Sequence, residues 1–312
     1  MIHPHREKQS IVVICGPTGI GKTAVAITLA QRFNGEIISA DSMQVYRRMD
    51  IGTAKATPEE QAAAPHHMID IVAPDEPFDA ARFAVLARTA AAEIAGRGML
   101  PIVAGGTGLY IKALTQGIFQ AKATDARIRK QLQEALAEEG PAAMHRRLAK
   151  MDPEAARRIH PNDRVRILRA LEVFEATGRP ISDHHSTHRF GEAPFRTLKI
   201  GLEMARTALY DRINRRVEMM LDSGLLSEVL GLLEMGYDAG LKSMKSIGYR
   251  HMADFIEGRL PWDEAVRTLK RDTRRYAKRQ YTWFKADPGI RWAAPEALEE
   301  MGCWVEAFLK RP

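Results

Sequence analysis

The 312-residue sequence predicts an α/β fold, in which a parallel β-sheet core is flanked by helices and interrupted by an all-helical insertion domain. The first observation behind this prediction is a set of short apolar runs, typical of buried strands, at residues 11–15, 36–40, 100–104 and 197–202. The second is the helical periodicity that residues 124–196 show throughout. We therefore predict a core domain of residues 1–123 and 197–312, with residues 124–196 as the insertion.

Composition limits the class of protein before any motif is considered. Hydrophobic residues make up 45% of the chain and charged residues 27%, and no apolar run approaches the roughly 20 residues that span a bilayer. Residues 1–10 lack the apolar segment of a signal peptide, and the two cysteines form neither a disulfide framework nor a zinc site. We therefore expect a cytoplasmic protein without membrane association. The formal net charge of +7 favours a polyanionic partner.

A glycine-rich loop connects the first predicted strand to the first predicted helix. It consists of Gly16, Pro17, Thr18, Gly19, Ile20, Gly21, Lys22 and Thr23. The glycines allow successive backbone N–H groups to point inward, and the helix N-terminus adds partial positive charge. Lys22 supplies an ammonium group for phosphate oxygens, and the Thr23 hydroxyl is a ligand that Mg²⁺ accepts. The pattern predicts a P-loop NTPase-like core that binds a di- or triphosphate.

The ends of the second and third strands indicate the type of reaction. Asp41 follows the second strand, at the sheet edge where parallel α/β folds bind ligands. We interpret it as a functional acid beside the P-loop, with a helix N-cap as the alternative role. The third strand ends in glycine-rich residues 105–108, where an ATPase or GTPase usually carries an aspartate for Mg²⁺. Such a turn favours close approach of a base or ribose, so the sequence predicts a transferase rather than a motor or a switch.

Basic residues are concentrated in two later segments. Arg212 and Arg216 are four residues apart on a predicted helix and share one face, which suits a diphosphate. Residues 262–285 carry eight lysines or arginines against three acids, and Tyr276, Tyr281, Trp283 and Phe284 are interleaved with them. A solvated face is the ordinary explanation of a charge run. Here the net charge and the aromatic residues favour a nucleic-acid surface.

Taken in chain order, these motifs resemble one family closely, the tRNA dimethylallyltransferases, also called tRNA isopentenyltransferases. The matching segments are GPTGIGKT (16–23), ISADSMQVYRRMDIGTAK (38–55), PHHMIDI (65–71), PIVAGGTGLYIKAL (101–114), RVRILRALEV (164–173), LYDRINRRVEMM (209–220), SIGYR (246–250) and YAKRQYTWFK (276–285). The first motif alone is modestly specific, whereas the set is highly specific and spans nearly the whole chain. The sequence departs from the family pattern at His251, where an acid is common, and at Arg164, where a proline is common.

The resemblance implies transfer of a dimethylallyl group from dimethylallyl diphosphate to N6 of the adenosine 3′-adjacent to the anticodon of tRNA. The cofactor would be Mg²⁺, the partner would be the tRNA anticodon stem-loop, and we expect a monomer. Asp41 would be the general base, with Lys22, Thr23 and Thr107 as the other catalytic residues. Residues 16–23, Arg212 and Arg216 would bind the diphosphate, and Thr23 would bind the metal.

The resemblance also implies a set of tRNA contacts from both predicted domains, with the helical insertion closing over the anticodon loop. These residues are Asp41, Ser42, Met43, Gln44, Thr107, Arg129, Val165, Arg166, Ile167, Leu168, Arg169, Lys245, Ser246, Ile247, Gly248, Tyr249, Arg250, Lys278, Arg279, Gln280, Tyr281, Thr282, Trp283, Phe284 and Lys285. An adenine N6 amine reacts only when it is well positioned, and the base must leave its stack to reach the site.

Three other functions stay open on the sequence alone. A small-molecule kinase would use the P-loop and Asp41 but would leave the basic helix without a role. An adenylate isopentenyltransferase, which makes a free cytokinin, is generally shorter and lacks a tRNA-gripping region. A non-catalytic RNA-binding module would not use Lys22, Thr23 and Asp41 together. Chain length and residues 278–285 favour the tRNA enzyme. The sequence leaves open whether ATP or ADP occupies the P-loop, and which arginine, Arg212 or Arg216, reaches the diphosphate.

Overall fold

The computed structural model describes residues 8–117, 126–188 and 194–311, which fall into two compact units. The first, here called the core unit, comprises Met1–Thr115 and Pro194–Pro312. The second, here called the helical unit, comprises Gln116–Ala193. The sequence places the domain boundaries at 123/124 and 196/197, and the first of these positions lies outside the described residues.

The sheet of the core unit consists of β1 (Ser10–Cys15), β2 (Gly35–Ser39), β3 (His66–His67), β4 (Leu100–Gly105), β5 (Arg196–Leu202) and β6 (Ile290–Ala293). These strands are parallel and lie in the order β3-β2-β4-β1-β5-β6. The predicted α/β class with a parallel sheet is therefore confirmed. The sequence did not predict β3 or β6, because β3 is a two-residue strand within a proline-punctuated loop and β6 has only four residues.

The helices of the described residues flank this sheet or form the helical unit. In chain order they are α1 (Lys22–Arg32), α2 (Pro58–Ala63), α3 (Ala80–Gly96), α4 (Gly108–Gln116), α5 (Ala126–Met151), α6 (Pro153–Arg158), α7 (Arg164–Thr177), α8 (Ile181–His188), α9 (Arg206–Asp222), α10 (Leu225–Glu234), α11 (Tyr249–Ile256), α12 (Trp262–Lys285) and α13 (Leu298–Leu309). Within the described ranges, none is long and apolar enough to cross a membrane.

Local sequence determines several helix ends. The Asp79 carboxylate accepts the backbone N–H groups of Ala81 and Arg82 at 3.0 and 2.8 Å, so α3 begins after this N-cap. Gly140 has a φ of 79°, which breaks the α5 segment before Pro141.

In the helical unit, a core of apolar side chains joins α5 to α7. Its members include Leu132, Met144, Leu148, Ile167 and Leu171.

The register of the central strands places three loops at one edge of the sheet. Cys15 at the end of β1 pairs with Gly105 at the end of β4, and Ser39 at the end of β2 pairs with Ala104. Because the strands are parallel, the segments that follow them leave the sheet side by side. The core unit therefore brings the phosphate loop, Asp41 and the glycine-rich turn after β4 together.

Candidate active site

The phosphate loop turns tightly between β1 and α1. Gly19 and Gly21 have φ angles of 80° and 103°, a region that favours glycine. A Cβ atom added at Gly19 would lie 3.1 Å from Cγ1 of Ile213, and one added at Gly21 would lie 3.3 Å from Nη2 of Arg212. The loop is thus closely packed against α9. This packing places the guanidinium of Arg212 directly beside the start of α1.

Lys22, the first residue of α1, folds back over the loop. Its Nζ atom donates to the Pro17 carbonyl at 2.8 Å. Burial lowers the pKa of Lys22 to about 8, an effect that the Asp41 carboxylate opposes and the Arg216 guanidinium reinforces. Both side chains therefore lie close enough to Lys22 to change its pKa. An anion bound at this point would stabilise the charged form of Lys22.

Asp41 follows β2 and lines the same cavity as Lys22. Its Oδ1 atom accepts the backbone N–H of Met43 at 2.9 Å, which fixes the carboxylate within a turn. No helix begins at this point, so the alternative role as a helix N-cap is wrong. The Asp41 charge also opposes the lowering of the Arg216 pKa by burial. One carboxylate thus faces two cations at the end of β2.

Thr107 connects the turn after β4 to the segment after β2. Its hydroxyl accepts the backbone N–H of Ser42 at 3.0 Å, and its own N–H donates to the Ala40 carbonyl at 3.1 Å. The Tyr276 hydroxyl lies near the side chains of Thr107 and Gln280, and both oppose the rise of its pKa. Burial, aided by the Asp41 charge, raises the pKa of Tyr276 to about 12, so this phenol stays protonated at neutral pH.

Gln280 is buried and bridges two segments of the core unit, and its predicted contact with tRNA stays a prediction. Its Oε1 atom accepts the Thr18 N–H at 2.8 Å, and its Nε2 atom donates to the Gly106 carbonyl at 2.9 Å. Both ends of the amide are therefore used to join the phosphate loop to the turn after β4.

The glycine-rich turn after β4 is filled by the protein itself. A Cβ atom added at Gly106 would lie 2.2 Å from Nε2 of Gln280, and one added at Gly108 would lie 2.1 Å from Nε1 of Trp283. The close approach that the sequence assigned to a base or ribose is made here by side chains of α12. These two glycines are required for packing of α12 onto the sheet edge.

These groups enclose a cavity of about 920 Å³ in the core unit. Its lining contains many of the predicted site residues: Thr18, Gly19, Gly21, Lys22, Thr23, Asp41, Ser42, Met43, Gln44, Arg212, Arg216, Lys245, Ser246, Ile247, Gly248, Arg279 and Gln280. Arg212 and Arg216 both line it, so the structure does not choose between them, and Arg215 of the same helix lines it as well. Thr107 is not part of the lining and acts on it through Ser42.

Sequence reasoning missed several lining residues. Residues 52–54 and Tyr276 belong to this group, as do the apolar side chains of Ile213, Val217 and Met220. The signal for the last three was present, because positions 213, 217 and 220 recur at helical spacing beside the arginines at 212 and 216. The cavity thus combines cations at one end with an apolar strip along α9.

Three predicted tRNA contacts have side chains that lie in the protein interior, and for these residues a contact with tRNA stays a prediction. Ile167 is in the core of the helical unit, and Tyr249 and Phe284 are buried in the core unit. Leu168 is partly buried against the helical core. Tyr281 is half-buried, and its hydroxyl accepts the Met204 N–H at 3.1 Å.

Several other predicted tRNA contacts of the core unit are not exposed: Asp41, Ser42, Met43, Gln44, Thr107, Ser246 and Ile247 are half-buried, and Gly248 is buried. Seven are exposed: Lys245, Arg250, Lys278, Arg279, Thr282, Trp283 and Lys285. Two of them form ion pairs: Arg250 with Asp272, and Lys285 with Glu203 at 2.5 Å. In the helical unit, Val165, Arg166 and Arg169 are exposed. Arg129 and Arg169 both pair with the buried carboxylate of Glu172, at 3.4 and 3.3 Å.

The cavity suits a Mg²⁺ ion that takes most of its ligands from the substrate and water. Among residues 8–117, 126–188 and 194–311, no cluster of three or more histidine, cysteine or acidic side chains is placed to hold a metal alone. The cavity offers the Thr23 hydroxyl. Mg²⁺ commonly takes one or two protein oxygens and completes its octahedron with substrate phosphates and water, so this residue fits the ion.

Comparison with known proteins identifies the family. The IPP transferase model matches residues 44–287, and the isopentenyl transferase model matches residues 9–70. The chain is 54% identical to the tRNA dimethylallyltransferase of Desulfosudis oleivorans, over 96% of each chain. It is 53% identical to tRNA dimethylallyltransferase 2 of Syntrophus aciditrophicus, over 97% of this chain and 98% of that one.

Solved structures give the same result. The tRNA isopentenylpyrophosphate transferase of Bacillus halodurans matches with a TM-score of 0.73 and 42% identity, over 97% of each chain. A eukaryotic dimethylallyltransferase, described as acting on tRNA, matches with a TM-score of 0.79 and 30% identity. That match covers 93% of this chain and 75% of the eukaryotic one.

Proposed function

This chain belongs to the tRNA dimethylallyltransferase family of prenyltransferases, and we propose that it prenylates tRNA at one adenosine. The group transferred is dimethylallyl, the donor is dimethylallyl diphosphate, and the acceptor is N6 of the adenosine 3′-adjacent to the anticodon. The observation that carries this proposal is the cavity in which Lys22, Arg216 and Asp41 lie together beside an apolar strip.

The reaction requires one bond to form and one to break. The N6 nitrogen attacks C1 of the dimethylallyl group, while the C1–O bond breaks and the diphosphate leaves with the bonding electron pair. The proton that N6 loses must pass to a base. Because the adenine amine is a poor nucleophile, the protein acts mainly by holding N6 near C1 and by stabilising the leaving group.

The phosphate loop and α9 would receive the diphosphate. The backbone N–H groups at the start of α1, the Lys22 ammonium and the guanidinium groups of Arg212 and Arg216 present positive charge to the cavity. Mg²⁺ held by Thr23 and diphosphate oxygens would supply further neutralisation of the departing charge. The apolar side chains of Ile213 and Val217 suit the hydrocarbon chain of the donor.

Asp41 would take the proton from N6 and orient the amine. Its Oδ1 atom is already fixed by the Met43 N–H, so the carboxylate is held in place before the substrate arrives. The Thr107 hydroxyl would act through the Ser42 backbone, which it holds at 3.0 Å. General base catalysis of this kind typically contributes about 10²–10⁴-fold.

The exposed cations near the cavity would hold the RNA. Lys278 and Arg279 lie on α12, and Lys245 lies on the segment before α11. Contacts of such groups with phosphates position an RNA without reading its sequence. Arg129, Val165, Arg166 and Arg169 of the helical unit are proposed as contacts to the anticodon loop, on the basis of family resemblance.

The direct test is to incubate the protein with Mg²⁺, radiolabelled dimethylallyl diphosphate and an unmodified anticodon stem-loop. We expect label in the RNA, and none when the adenosine beside the anticodon is replaced by guanosine. Label on free AMP instead would assign the protein to the cytokinin-forming class. Label in neither acceptor would contradict prenyl transfer and return the small-molecule kinase to consideration.

A further inference from the structure

One carboxylate connects two segments of the cavity wall. Glu228 lies on α10 and is half-buried. Its Oε2 atom accepts the backbone N–H groups of Asp50 and Ile51 at 2.9 and 2.8 Å, and its Oε1 atom accepts that of Gly52 at 3.1 Å. Three successive backbone donors thus surround one anion, an arrangement known as a nest. The carboxylate fixes the conformation of residues 50–52.

The same carboxylate holds the second segment. The Tyr249 hydroxyl donates to Oε1 of Glu228 at 2.5 Å. The Tyr249 ring packs directly on Gly52, where an added Cβ atom would lie 2.4 Å from the ring. Tyr249 is the first residue of α11 and directly follows residues 245–248. Residues 245–248 and Gly52 all line the cavity. One acidic side chain thus ties together two wall segments that are nearly 200 residues apart in sequence.

The loop held by Glu228 also determines the orientation of Gln44. Nε2 of Gln44 donates to the carbonyls of Thr53 and Ala54 at 3.3 and 3.1 Å. Its Oε1 atom accepts the Ser39 hydroxyl at 2.8 Å. An amide has two N–H donors, so both are used by the loop. Gln44 lines the cavity beside Asp41, and its direction therefore depends on where residues 53 and 54 are held.

We propose that Glu228 is a positioning residue, which couples residues 50–54 to residues 246–249 and thereby sets the shape of the cavity wall that receives the adenosine. The identity of the nucleoside rests on the proposed function, whereas the coupling of the two segments does not. The negative charge is essential, because the carboxylate accepts four hydrogen bonds and donates none. A glutamine at this position would turn an NH₂ group toward at least one of these donors.

The coupling is tested by hydrogen–deuterium exchange on the full-length protein without substrates. Glu228→Gln should speed exchange in both peptides that contain residues 50–54 and 246–250. Glu234→Gln changes an exposed carboxylate of the same helix and should leave both peptides unchanged. Unchanged exchange in Glu228→Gln, or a change confined to one of the two segments, would overturn the coupling.

Steady-state kinetics then separates positioning from simple loss of structure. Glu228→Gln should lower kcat/KM for the anticodon stem-loop by roughly 10- to 100-fold, as a small misplacement of a reacting group does. The KM for dimethylallyl diphosphate should stay within about twofold, since the phosphate loop is not touched. A KM for dimethylallyl diphosphate that rises by as much as kcat/KM for the stem-loop falls would overturn the positioning role.

A double-mutant cycle completes the test. Tyr249→Phe removes only the hydroxyl that reaches Glu228, and the double variant should lose less than the sum of the two single losses. If the losses of the two single variants add fully, Glu228 and Tyr249 do not act through their shared hydrogen bond. If the wild-type protein labels no RNA, the proposed function fails, while the exchange experiment still decides the coupling of the two segments.

Discussion

The two sides of the cavity are built in different ways. One side, proposed to bind the diphosphate and here called the phosphate side, comprises residues 16–23 with Arg212 and Arg216 and takes most of its groups from one contiguous strand, loop and helix. The other, proposed to receive the adenosine and here called the nucleoside side, comprises residues 41–54 with 245–249 and is assembled from distant segments joined by side-chain hydrogen bonds. The phosphate side is therefore specified by local sequence, and the nucleoside side by tertiary contacts. We expect changes on the phosphate side to act on diphosphate affinity and changes on the nucleoside side to act on RNA turnover.

The largest effect should come from Asp41, where the two sides meet. Asp41→Asn keeps an oxygen for the Met43 N–H but removes the base, so single-turnover transfer should fall by about 10²–10⁴-fold. Diphosphate binding, measured by calorimetry, should be largely retained. Asp75→Asn alters an exposed acid and serves as the control. Turnover of Asp41→Asn close to that of the wild type would show that another group accepts the proton.

The second largest effect should come from Gln280, which bridges α12 to the phosphate loop. Gln280→Met leaves the Thr18 N–H and the Gly106 carbonyl without their present partners, which should cost about 1–3 kcal/mol of unfolding free energy. Urea denaturation measures this cost. Gln133→Met changes an exposed glutamine and should alter stability by less than about 0.5 kcal/mol. Equal stability of the two variants would mean that the bridge does not hold the loop.

The third largest effect should be a pH dependence of diphosphate affinity at the phosphate side. Lys22 has a pKa lowered to about 8 by burial, and a bound diphosphate favours its charged form and raises that pKa. Affinity should be constant below about pH 8, where Lys22 is protonated with or without ligand. Above that pH it should fall, by at most about tenfold per pH unit, until the pKa of the complex is reached.

Calorimetric titration with dimethylallyl diphosphate across this pH range measures the change. Lys22→Arg carries a guanidinium that stays protonated throughout, so its affinity should not change with pH above about 8. A wild-type affinity that is equally flat would contradict a contact between the Lys22 ammonium and the diphosphate.

The smallest effect should come from the exposed cations of α12. Lys278→Ala with Arg279→Ala should weaken stem-loop binding and reduce the slope of log affinity against log salt by about 0.7 for each RNA phosphate that these side chains neutralise. Arg267→Ala removes an exposed arginine of the same helix that pairs with Glu264, and it should leave the slope unchanged. Identical slopes for all three proteins would exclude Lys278 and Arg279 from the interface.

The difference between local sequence and tertiary contacts also explains which parts of the structure could be predicted from the sequence. The phosphate loop and the parallel sheet were predictable, because their signals are local: glycine spacing, apolar runs and strand–loop–helix order. Asp41 was found because strand ends of a parallel sheet share one edge. The bridging role of Gln280 was missed, since its partners Thr18 and Gly106 are 262 and 174 residues away in sequence. Glu228 was missed for the same reason.

Packing also shows what a family motif can contain. The resemblance places Tyr249 and Phe284 among the tRNA contacts, yet both side chains are buried. A motif records which residues matter and does not distinguish a residue that contacts a ligand from one that supports the contact. Burial depends on the tertiary packing of α11 and α12, which helical periodicity predicts only approximately.

The most direct measurement is a crystal structure of the protein with Mg²⁺, an unreactive analogue of dimethylallyl diphosphate and an anticodon stem-loop. The quantity to measure is the distance from the Asp41 carboxylate to N6 of the adenosine beside the anticodon. We predict a hydrogen bond of about 2.6–3.2 Å, with the diphosphate on the phosphate loop. An adenosine bound outside the cavity, or a carboxylate beyond reach of N6 directly or through one water, would contradict the assignment of Asp41 as the base.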